Sequence, residues 1–245
     1  MKKVNEQSEL PIAETFSSIQ GEGKLVGTPS FFIRVSGCNL RCTWCDTPYA
    51  SWSPEGQQRS VSSLIDEAVA SGLEHVVLTG GEPMIFDPIT PLCNSLHERG
   101  LHVTIETAGT VHRAVACDLM SISPKLANST PTEHDPRDPG GTWRRRHEAR
   151  RLNFDALQRL IDDARGPGRA IQLKFVVTGQ EDVAEIDSLL DALDSWSNDD
   201  VLLMPEGVTP PSQERCAWIV RVCTQRGWRF CRRLHIDLFG NVRGT

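Results

Sequence analysis

Short apolar runs alternate with helix-like segments along most of the chain, and this alternation constrains the fold more than any other feature. The apolar runs predict six strands, at residues 31–35, 75–78, 101–105, 118–122, 171–177 and 201–204. Amphipathic periods predict helices at residues 60–71, 89–99, 154–164, 183–196 and 212–225. Strands that alternate with helices favour a parallel sheet with right-handed crossovers, so we expect an α/β fold built from six strand-then-helix units.

Polar segments follow the predicted strands at the points where the strands end. These segments are TGGEP (Thr79–Pro83), ETAG (Glu106–Gly109), SPK (Ser123–Lys125) and PEGV (Pro205–Val208). Because α/β barrels place their sites at the carboxyl ends of the strands, we expect these segments to contribute to one site. Two further regions lie outside this pattern. The turn formers and basic run of residues 126–150 predict an irregular flap, and the sequence of residues 230–239 predicts a strand-like tail.

Three cysteines lie close together in a polar loop, residues 37–50, which follows the first predicted strand. Cys38, Cys42 and Cys45 have the spacing C-x3-C-x2-C. Thiolates at this density favour a metal or an iron–sulfur cluster over disulfides. Closed zinc sites and electron-transfer clusters take four ligands, so a set of three leaves one metal position open for chemistry. Buried structural cysteines or an incomplete zinc knuckle would be the alternative, but structural cysteines are normally dispersed, as the other five are.

Composition excludes several classes of protein. With 245 residues, 39% hydrophobic and 24% charged, the chain has the size and balance of one globular domain. It has no apolar run of about 18 residues, and its first 16 residues lack the apolar core of a signal peptide, so we expect a cytoplasmic protein without a membrane partner. A formal net charge of -6 disfavours direct nucleic-acid binding and favours a small-molecule substrate.

The cysteine spacing, with Trp44 just before the last cysteine, resembles the signature of the radical S-adenosylmethionine (radical SAM) enzymes. This resemblance implies a single domain over residues 1–245, folded as a partial (β/α)6 barrel with some shortened elements. It also implies a 4Fe-4S cluster on Cys38, Cys42 and Cys45, with S-adenosylmethionine on the fourth iron. A 5'-deoxyadenosyl radical, rather than a side-chain acid or base, would then be the catalyst. The implied S-adenosylmethionine contacts are Trp44, Gly80, Gly81, Glu82, Thr107, Ser123, Lys125, Pro205, Glu206, Gly207 and Val208.

Three segments of the chain narrow the resemblance to one family of radical SAM enzymes. ETFSSIQGEG (Glu14–Gly23), the segment from Phe31 to Ala50 and the terminal LHIDLFGNVRGT resemble the 7-carboxy-7-deazaguanine synthase family. The implied reaction is a lyase step from 6-carboxy-5,6,7,8-tetrahydropterin to 7-carboxy-7-deazaguanine, with loss of ammonia, in 7-deazapurine and queuosine biosynthesis. The substrate contacts would lie in segment 12–30, in the central strands and in the tail 230–245. They are Ile19, Gln20, Gly21, Glu22, Arg34, Thr79 and His235, with Thr47 as a Mg2+ ligand.

The resemblance also implies partners, and two alternatives stay open. An electron donor such as flavodoxin or ferredoxin and a homodimer are expected in the family. A glycyl-radical activating enzyme shares the cysteine spacing, but the QGEG turn and the His235 tail have no role in it. A non-catalytic iron–sulfur protein would give no role to TGGEP, ETAG and SPK. In some members of the resembling family the chain ends just after the histidine, whereas ten residues follow His235 here.

Overall fold

The computed structural model describes residues 8–245, and one mixed sheet forms the centre of this part of the chain. The strands are β1 (Glu9–Ile19), β2 (Pro29–Val35), β3 (Gln57–Ser60), β4 (His75–Gly80), β5 (His102–Thr107), β6 (Leu119–Ile122), β7 (Ala170–Val177), β8 (Val201–Pro205) and β9 (Arg229–Phe230). The helices are α1 (Val61–Ala70), α2 (Ile89–Glu98), α3 (Thr142–Arg150), α4 (Phe154–Asp163), α5 (Asp182–Asp191), α6 (Gln213–Arg226) and α7 (Leu234–Phe239).

The strand order is β3-β1-β2-β4-β5-β6-β7-β8-β9. The strands from β2 to β9 in this order are parallel to their neighbours, whereas β1 and β3 add an antiparallel edge. The order ends in β3 on one side and β9 on the other, so the sheet is open. This architecture confirms the predicted α/β fold of the partial-barrel type.

Successive residues of the central strands face two different environments, as the period of two along a strand requires. On β7, Leu173 and Phe175 are buried in the main hydrophobic core, which the strands share with the helices. Lys174 and Val176, between and after them, line a cavity on the other face. The same alternation on the neighbouring strands produces an apolar outer face and a mixed, partly charged inner face.

Five helices follow their strands close to the predicted positions. Ser60 caps α1, because its hydroxyl accepts a hydrogen bond from the N–H of Ser63 at 3.2 Å. Ser212 caps α6 in the same way. α5 ends at Asp191, five residues before the predicted end, and the count of six complete strand-then-helix units was wrong. Residues 108–118, between β5 and β6, contain no helix.

Both terminal regions differ from the sequence expectations. Residues 9–19 form the long strand β1, which pairs antiparallel with β2 through contacts such as the stacked rings of Phe16 and Phe32, 4.9 Å apart. The strand-like tail was wrong beyond Phe230, because residues 234–239 form α7. The alternating apolar residues of this segment do not form the buried face of a strand. Leu238 is 57% exposed, and only Ile236 of α7 is buried.

The segment 126–150 is only partly an irregular flap, because its last nine residues form α3. Sequence periodicity could not predict this helix, since α3 has no apolar stripe and His147 is its only buried residue. Among residues 8–245, none of the helices combines the length and apolar character that a membrane span requires. The signal-peptide expectation concerns, in part, residues 1–7, which lie outside the described residues.

Candidate active site

A cavity of about 400 Å3 lies at the inner face of the sheet, near the carboxyl ends of the parallel strands. Most of the residues predicted for the site line it: Cys38, Cys42, Cys45, Trp44, Thr47, Gly80, Gly81, Thr107, Ser123, Lys125, Ile19, Gln20, Gly21, Glu22, Arg34, Thr79 and His235. Five predicted residues do not: Glu82, Pro205, Glu206, Gly207 and Val208. The structure therefore brings the cysteine loop and the terminal segments together around one space.

The cluster loop, residues 37–50, is held by backbone hydrogen bonds. The N–H of Gly37 donates to the carbonyl of Ala50 at 2.8 Å and joins the two ends of the loop. The N–H of Glu82 donates to the carbonyl of Gly37 at 2.9 Å and ties the loop to the TGGEP segment. The chain itself thus sets the conformation of the loop that carries the three cysteines.

The three cysteines of the loop are half-buried free thiols. Burial raises the pKa of Cys38 to about 12, and the nearby Glu82 carboxylate adds to the shift. Burial also raises the pKa of Cys42. A metal displaces thiol protons when it binds, so cluster binding stabilises thiolates that the protein alone disfavours. No group of three or more His, Cys, Asp or Glu side chains among residues 8–245 surrounds a single-ion position, but a 4Fe-4S cluster distributes its thiolates over separate irons.

Gly80 and Gly81 are needed because protein backbone fills the space beside them. A Cβ on Gly81 would lie 2.0 Å from the carbonyl oxygen of Gly37, and one on Gly80 would lie 2.2 Å from that of Val35. Gly80 also has a φ of +129°, which favours glycine. The glycine pair therefore lets the end of β4 pack against the cluster loop, in addition to lining the cavity.

Glu82 is fully buried and serves the fold in this structure. Its carboxylate accepts hydrogen bonds from the hydroxyl of Thr107 at 2.7 Å, the N–H of Ala108 at 2.8 Å and the N–H of Met84 at 3.0 Å. Burial raises its pKa, although these hydrogen bonds favour the charged form. Glu82 thus joins the end of β4 to the end of β5, and its predicted contact with an ammonium group stays a prediction.

One wall of the cavity combines an amine with an aromatic ring. The Lys125 amine donates to the Ser123 hydroxyl at 2.8 Å and lies 5.6 Å from the centre of the Trp44 ring. The indole N–H of Trp44 donates to the Asn128 carbonyl at 3.0 Å, which fixes the ring. This wall offers a cation for a carboxylate and a flat apolar surface for a base.

The opposite wall contains a buried network of charges. Lys174 donates to the carboxylates of Glu22 and Glu106, the latter at 3.0 Å. Arg233 donates through Nε to the other oxygen of Glu22 at 3.0 Å. Burial by itself would raise the pKa of Glu22, but the charges of Lys174 and Arg233 outweigh it and hold that pKa well below its usual range. The network therefore keeps Glu22 ionised beside the cavity.

The QGEG turn after β1 packs against the C-terminal segment. The N–H of Leu234 donates to the carbonyl of Gly21 at 2.8 Å. A Cβ on Gly21 would lie 1.9 Å from Nδ1 of His235, so only glycine allows this imidazole to approach. Burial lowers the pKa of His235, which favours the neutral ring. The QGEG turn and the C-terminal segment thus pack together at one side of the cavity.

Arg34 lies at the edge of the same cavity and is already paired. Its Nε donates to a Glu14 oxygen at 2.7 Å, and the hydroxyl of Tyr49 donates to that oxygen at 2.7 Å. Arg243 stacks over the Tyr49 ring at 3.7 Å, and residues near it in the tail, including Thr245, also line the cavity. The residues after His235 therefore return to the site.

Comparisons with known proteins agree with this geometry. The family model for the radical SAM superfamily matches residues 32–193. A 7-carboxy-7-deazaguanine synthase from Rhodopirellula baltica is 46% identical over 98% of this chain and 90% of its own length. The chain belongs to the 7-carboxy-7-deazaguanine synthase family. A synthase from Halobacterium salinarum is also 46% identical, over 96% of this chain and 93% of its own. The crystal structure of QueE from Escherichia coli, 27% identical, has a TM-score of 0.67 and covers 91% of this chain and 93% of that one.

The sequence analysis missed three basic residues that line the cavity of this family member: Lys174, Arg233 and Arg243. A signal for Lys174 exists, since a lysine inside the apolar run IQLKFVV of a parallel sheet needs a buried partner. No comparable signal marks Arg233, which lies in a run rich in arginine. Arg243 follows the last predicted strand, where only the fold shows that the tail returns.

Proposed function

We propose that this chain is a radical SAM lyase that converts 6-carboxy-5,6,7,8-tetrahydropterin to 7-carboxy-7-deazaguanine with loss of ammonia. One observation carries the proposal: the cysteines of the cluster loop line the same cavity as Gln20, Glu22, Arg34 and His235. Family membership and the near full-length similarity to proteins of that name support it.

The cluster loop and the Trp44 wall fit the two cofactors of the superfamily. Cys38, Cys42 and Cys45 would hold a 4Fe-4S cluster, which would displace their thiol protons on binding. Trp44, Gly80, Gly81, Thr107, Ser123 and Lys125 would hold S-adenosylmethionine. Together these groups supply, when bound, a radical that abstracts hydrogen from the substrate. The corresponding contacts at Glu82, Pro205, Glu206, Gly207 and Val208 stay predictions, since these residues do not line the cavity.

The charged wall suits a pterin that carries a carboxylate. Arg34 would bind the substrate carboxylate, because a guanidinium matches carboxylate geometry. Glu22 and Glu106 would accept hydrogen bonds from the N–H groups of the aminopyrimidinone edge, assisted by Gln20. Lys174 positions both carboxylates and leaves part of the hydrogen-bonding capacity of each one for the substrate. Ile19, Gly21, Thr79 and His235 complete the substrate contacts in the proposal.

A Mg2+ ion is part of the proposal. The Thr47 hydroxyl lines the cavity, and Asp46 lies beside it, with the hydroxyl donating to a carboxylate oxygen at 3.4 Å. Mg2+ takes oxygen ligands and keeps several of them from water or substrate. Thr47 with a substrate carboxylate and water would therefore form such a site. We also propose an electron donor such as flavodoxin or ferredoxin, a homodimer and a cytoplasmic location, as the family resemblance implies.

Anaerobic turnover tests the function directly. The reconstituted protein is incubated with S-adenosylmethionine, dithionite and the carboxytetrahydropterin, and the products are identified by mass spectrometry. We expect 7-carboxy-7-deazaguanine and ammonia. Formation of 5'-deoxyadenosine without the deazaguanine acid would contradict the proposed substrate. It would support only the cleavage of S-adenosylmethionine that radical SAM enzymes share.

The same experiment separates the alternatives. A glycyl-radical activating enzyme would cleave S-adenosylmethionine but would leave the pterin unchanged. A non-catalytic iron–sulfur protein would do neither. The comparisons favour the synthase over both, since the similarity extends over nearly the whole chain, including the QGEG turn and the tail.

A further inference from the structure

Arg41 is a buried cation within the cluster loop, between Cys38 and Cys42. Only 7% of this arginine is exposed. Its Nη1 donates to the carbonyl oxygens of Cys38 at 2.8 Å and Leu40 at 2.7 Å. Its Nε is buried and has no hydrogen-bond partner among residues 8–245. The backbone of the loop therefore holds the guanidinium, but part of its hydrogen-bonding capacity is unused.

Helix α3 covers the side of Arg41 that would otherwise face solvent. The guanidinium stacks on the Trp143 ring at 3.8 Å from the ring centre. The backbone N–H of Arg41 donates to Nδ1 of His147 at 3.1 Å, and Nε2 of this histidine lies 2.9 Å from the hydroxyl of Ser129. An aromatic face attracts a cation, but it does not neutralise the charge.

No carboxylate pairs with Arg41 in the part of the chain that the structure describes. The buried Glu82 carboxylate lies near Cys38, but its hydrogen bonds go to the groups at the ends of β4 and β5 described above. The negative charges that would act on the guanidinium are those of Cys38, Cys42 and Cys45 in their thiolate form. Because burial of an unpaired charge is strongly unfavourable, the counter-charge of Arg41 has to come from what the three cysteines bind.

We propose that Arg41 is the buried counter-ion of the 4Fe-4S cluster and that its charge raises the reduction potential of the cluster. The inference rests on the proposed function, which includes the cluster. Three thiolates give the bound cluster a net negative charge, and reduction adds one electron from an external reductant without forming or breaking a bond. A fixed cation in a site that excludes water therefore stabilises the reduced form more than the oxidised form.

A purely structural role is the alternative. In that role, the hydrogen bonds from Arg41 to the Cys38 and Leu40 carbonyls would hold the loop, and the charge itself would have no effect. The two roles differ for a lysine at this position, since lysine keeps the charge but lacks the planar set of donors of arginine. Arg41 acts through the cluster rather than on the substrate, so the decisive measurement is a potential.

The test compares two variants of Arg41 with one control. Arg41→Gln removes the charge and keeps a donor for the carbonyls, whereas Arg41→Lys keeps the charge. Arg159→Gln makes the same charge change at an exposed position of α4. Each protein is reconstituted anaerobically without pterin, its iron content is measured, and the cluster is titrated with dithionite while electron paramagnetic resonance follows the reduced form.

We expect Arg41→Gln to shift the reduction equilibrium at least tenfold toward the oxidised cluster, which lowers the potential by about 59 mV for one electron. The shift should persist at high salt, because buried charges are screened much less than exposed ones. Arg41→Lys and Arg159→Gln should stay close to wild type. If Arg41→Gln keeps no cluster, iron retention is the readout, and Arg41→Lys should then keep its iron.

Two results would overturn the proposal. An unchanged potential in Arg41→Gln would show that the charge does not act on the cluster. Equal shifts, or equal losses of iron, in Arg41→Gln and Arg41→Lys would assign Arg41 to loop structure alone. Failure of the proposed function is distinct, because the potential is measured without pterin and can shift as expected when no deazaguanine acid forms.

Discussion

The two walls of the cavity are organised by different forces. On the cluster side, backbone hydrogen bonds and glycine packing fix the loop, and burial raises the pKa of Cys38 and Cys42. On the substrate side, long charged side chains from distant segments form a buried network, in which neighbouring charges overcome the effect of burial on Glu22. The first wall disfavours the charged form of its ligands, and the second stabilises charge.

This difference fits what the proposed function requires of each wall. A metal cluster would bring its own positive charge, so the cluster loop would need the right geometry rather than cationic neighbours. A pterin would bring neutral N–H groups, so carboxylates proposed to bind it would need to be ionised and fixed in advance. Changes to the first wall should therefore affect cofactor loading, whereas changes to the second should affect substrate binding and electrostatic stability.

The largest effect is expected from Cys42→Ala. Loss of one cluster thiolate should abolish formation of the deazaguanine acid, while the fold changes little, because the loop is held by its backbone. Iron content, the visible absorption of the cluster and product formation are the measurements. Cys216→Ala, at a half-buried free cysteine on α6, is the control and should keep full activity. An active Cys42→Ala protein would refute the assignment of the loop.

Lys174→Met should have the next largest effect. It leaves the half-buried Glu22 and Glu106 without their shared cation, although Glu22 keeps Arg233, so we expect a loss of about 1–3 kcal/mol of unfolding free energy. The substrate KM should rise at the same time, with cluster loading unchanged. Addition of Glu22→Gln to Lys174→Met should recover part of the lost stability, as measured by urea denaturation. If the single variant were as stable as wild type, the network would have no energetic role.

The pH dependence of the same variant sharpens the comparison. In wild type, the folded pKa of Glu22 lies below its unfolded value, so its charge supports folding above about pH 4.5 and is lost only at lower pH. Without Lys174, Arg233 remains as the counter-charge of Glu22, so the folded pKa of Glu22 rises toward its unfolded value. The difference in unfolding free energy between wild type and Lys174→Met should then be largest above about pH 4.5 and should shrink as the pH falls below it, because wild type loses the contribution of the Glu22 charge there. Parallel curves for the two proteins would contradict this account.

Gly81→Ala tests the backbone packing on the cluster side. The added Cβ would meet the carbonyl oxygens of Gly37 and Ala50 at 2.0 and 2.5 Å, which only a shift of the loop can relieve. We expect a loss of about 1–3 kcal/mol in unfolding free energy and weaker cluster retention. Gly166→Ala is the matched control, because its nearest neighbour would lie at 3.6 Å. Equal thermal unfolding of the two variants would show that the loop adapts freely.

The smallest effect is expected from Arg34→Lys. A lysine keeps the charge but cannot contact a carboxylate with two parallel hydrogen bonds, so the substrate KM should rise by about tenfold with little change in kcat. Steady-state kinetics at saturating S-adenosylmethionine give both constants. The control is Arg59→Lys, at a half-buried position of β3 that does not line the cavity. A fall in kcat at constant KM would mean that Arg34 acts on the reaction rather than on binding.

The positions of most helices and strands followed from local patterns. The apolar runs of the parallel strands, the helical periods and the polar segments after the strands are each patterns of neighbouring residues, so the sequence predicts them. Helix α3 could not be predicted, since it has no apolar stripe and its buried His147 bonds to Ser129 and to the backbone of Arg41, about a hundred residues away. The segment of helix α7 has apolar residues that alternate as in a strand, although only Ile236 of the helix is buried.

The site also combines features that are local in the sequence with features that depend on distant residues. The spacing of Cys38, Cys42 and Cys45 and the QGEG turn are local, and they determined by themselves that the chain resembles radical SAM enzymes of one family. Only the tertiary structure decided that Glu22 and Lys174, 152 residues apart, form one ion pair, and that the chain after His235 returns to the cavity. A motif lies in consecutive residues, but a buried charge network exists only after strands from distant parts of the chain have become neighbours.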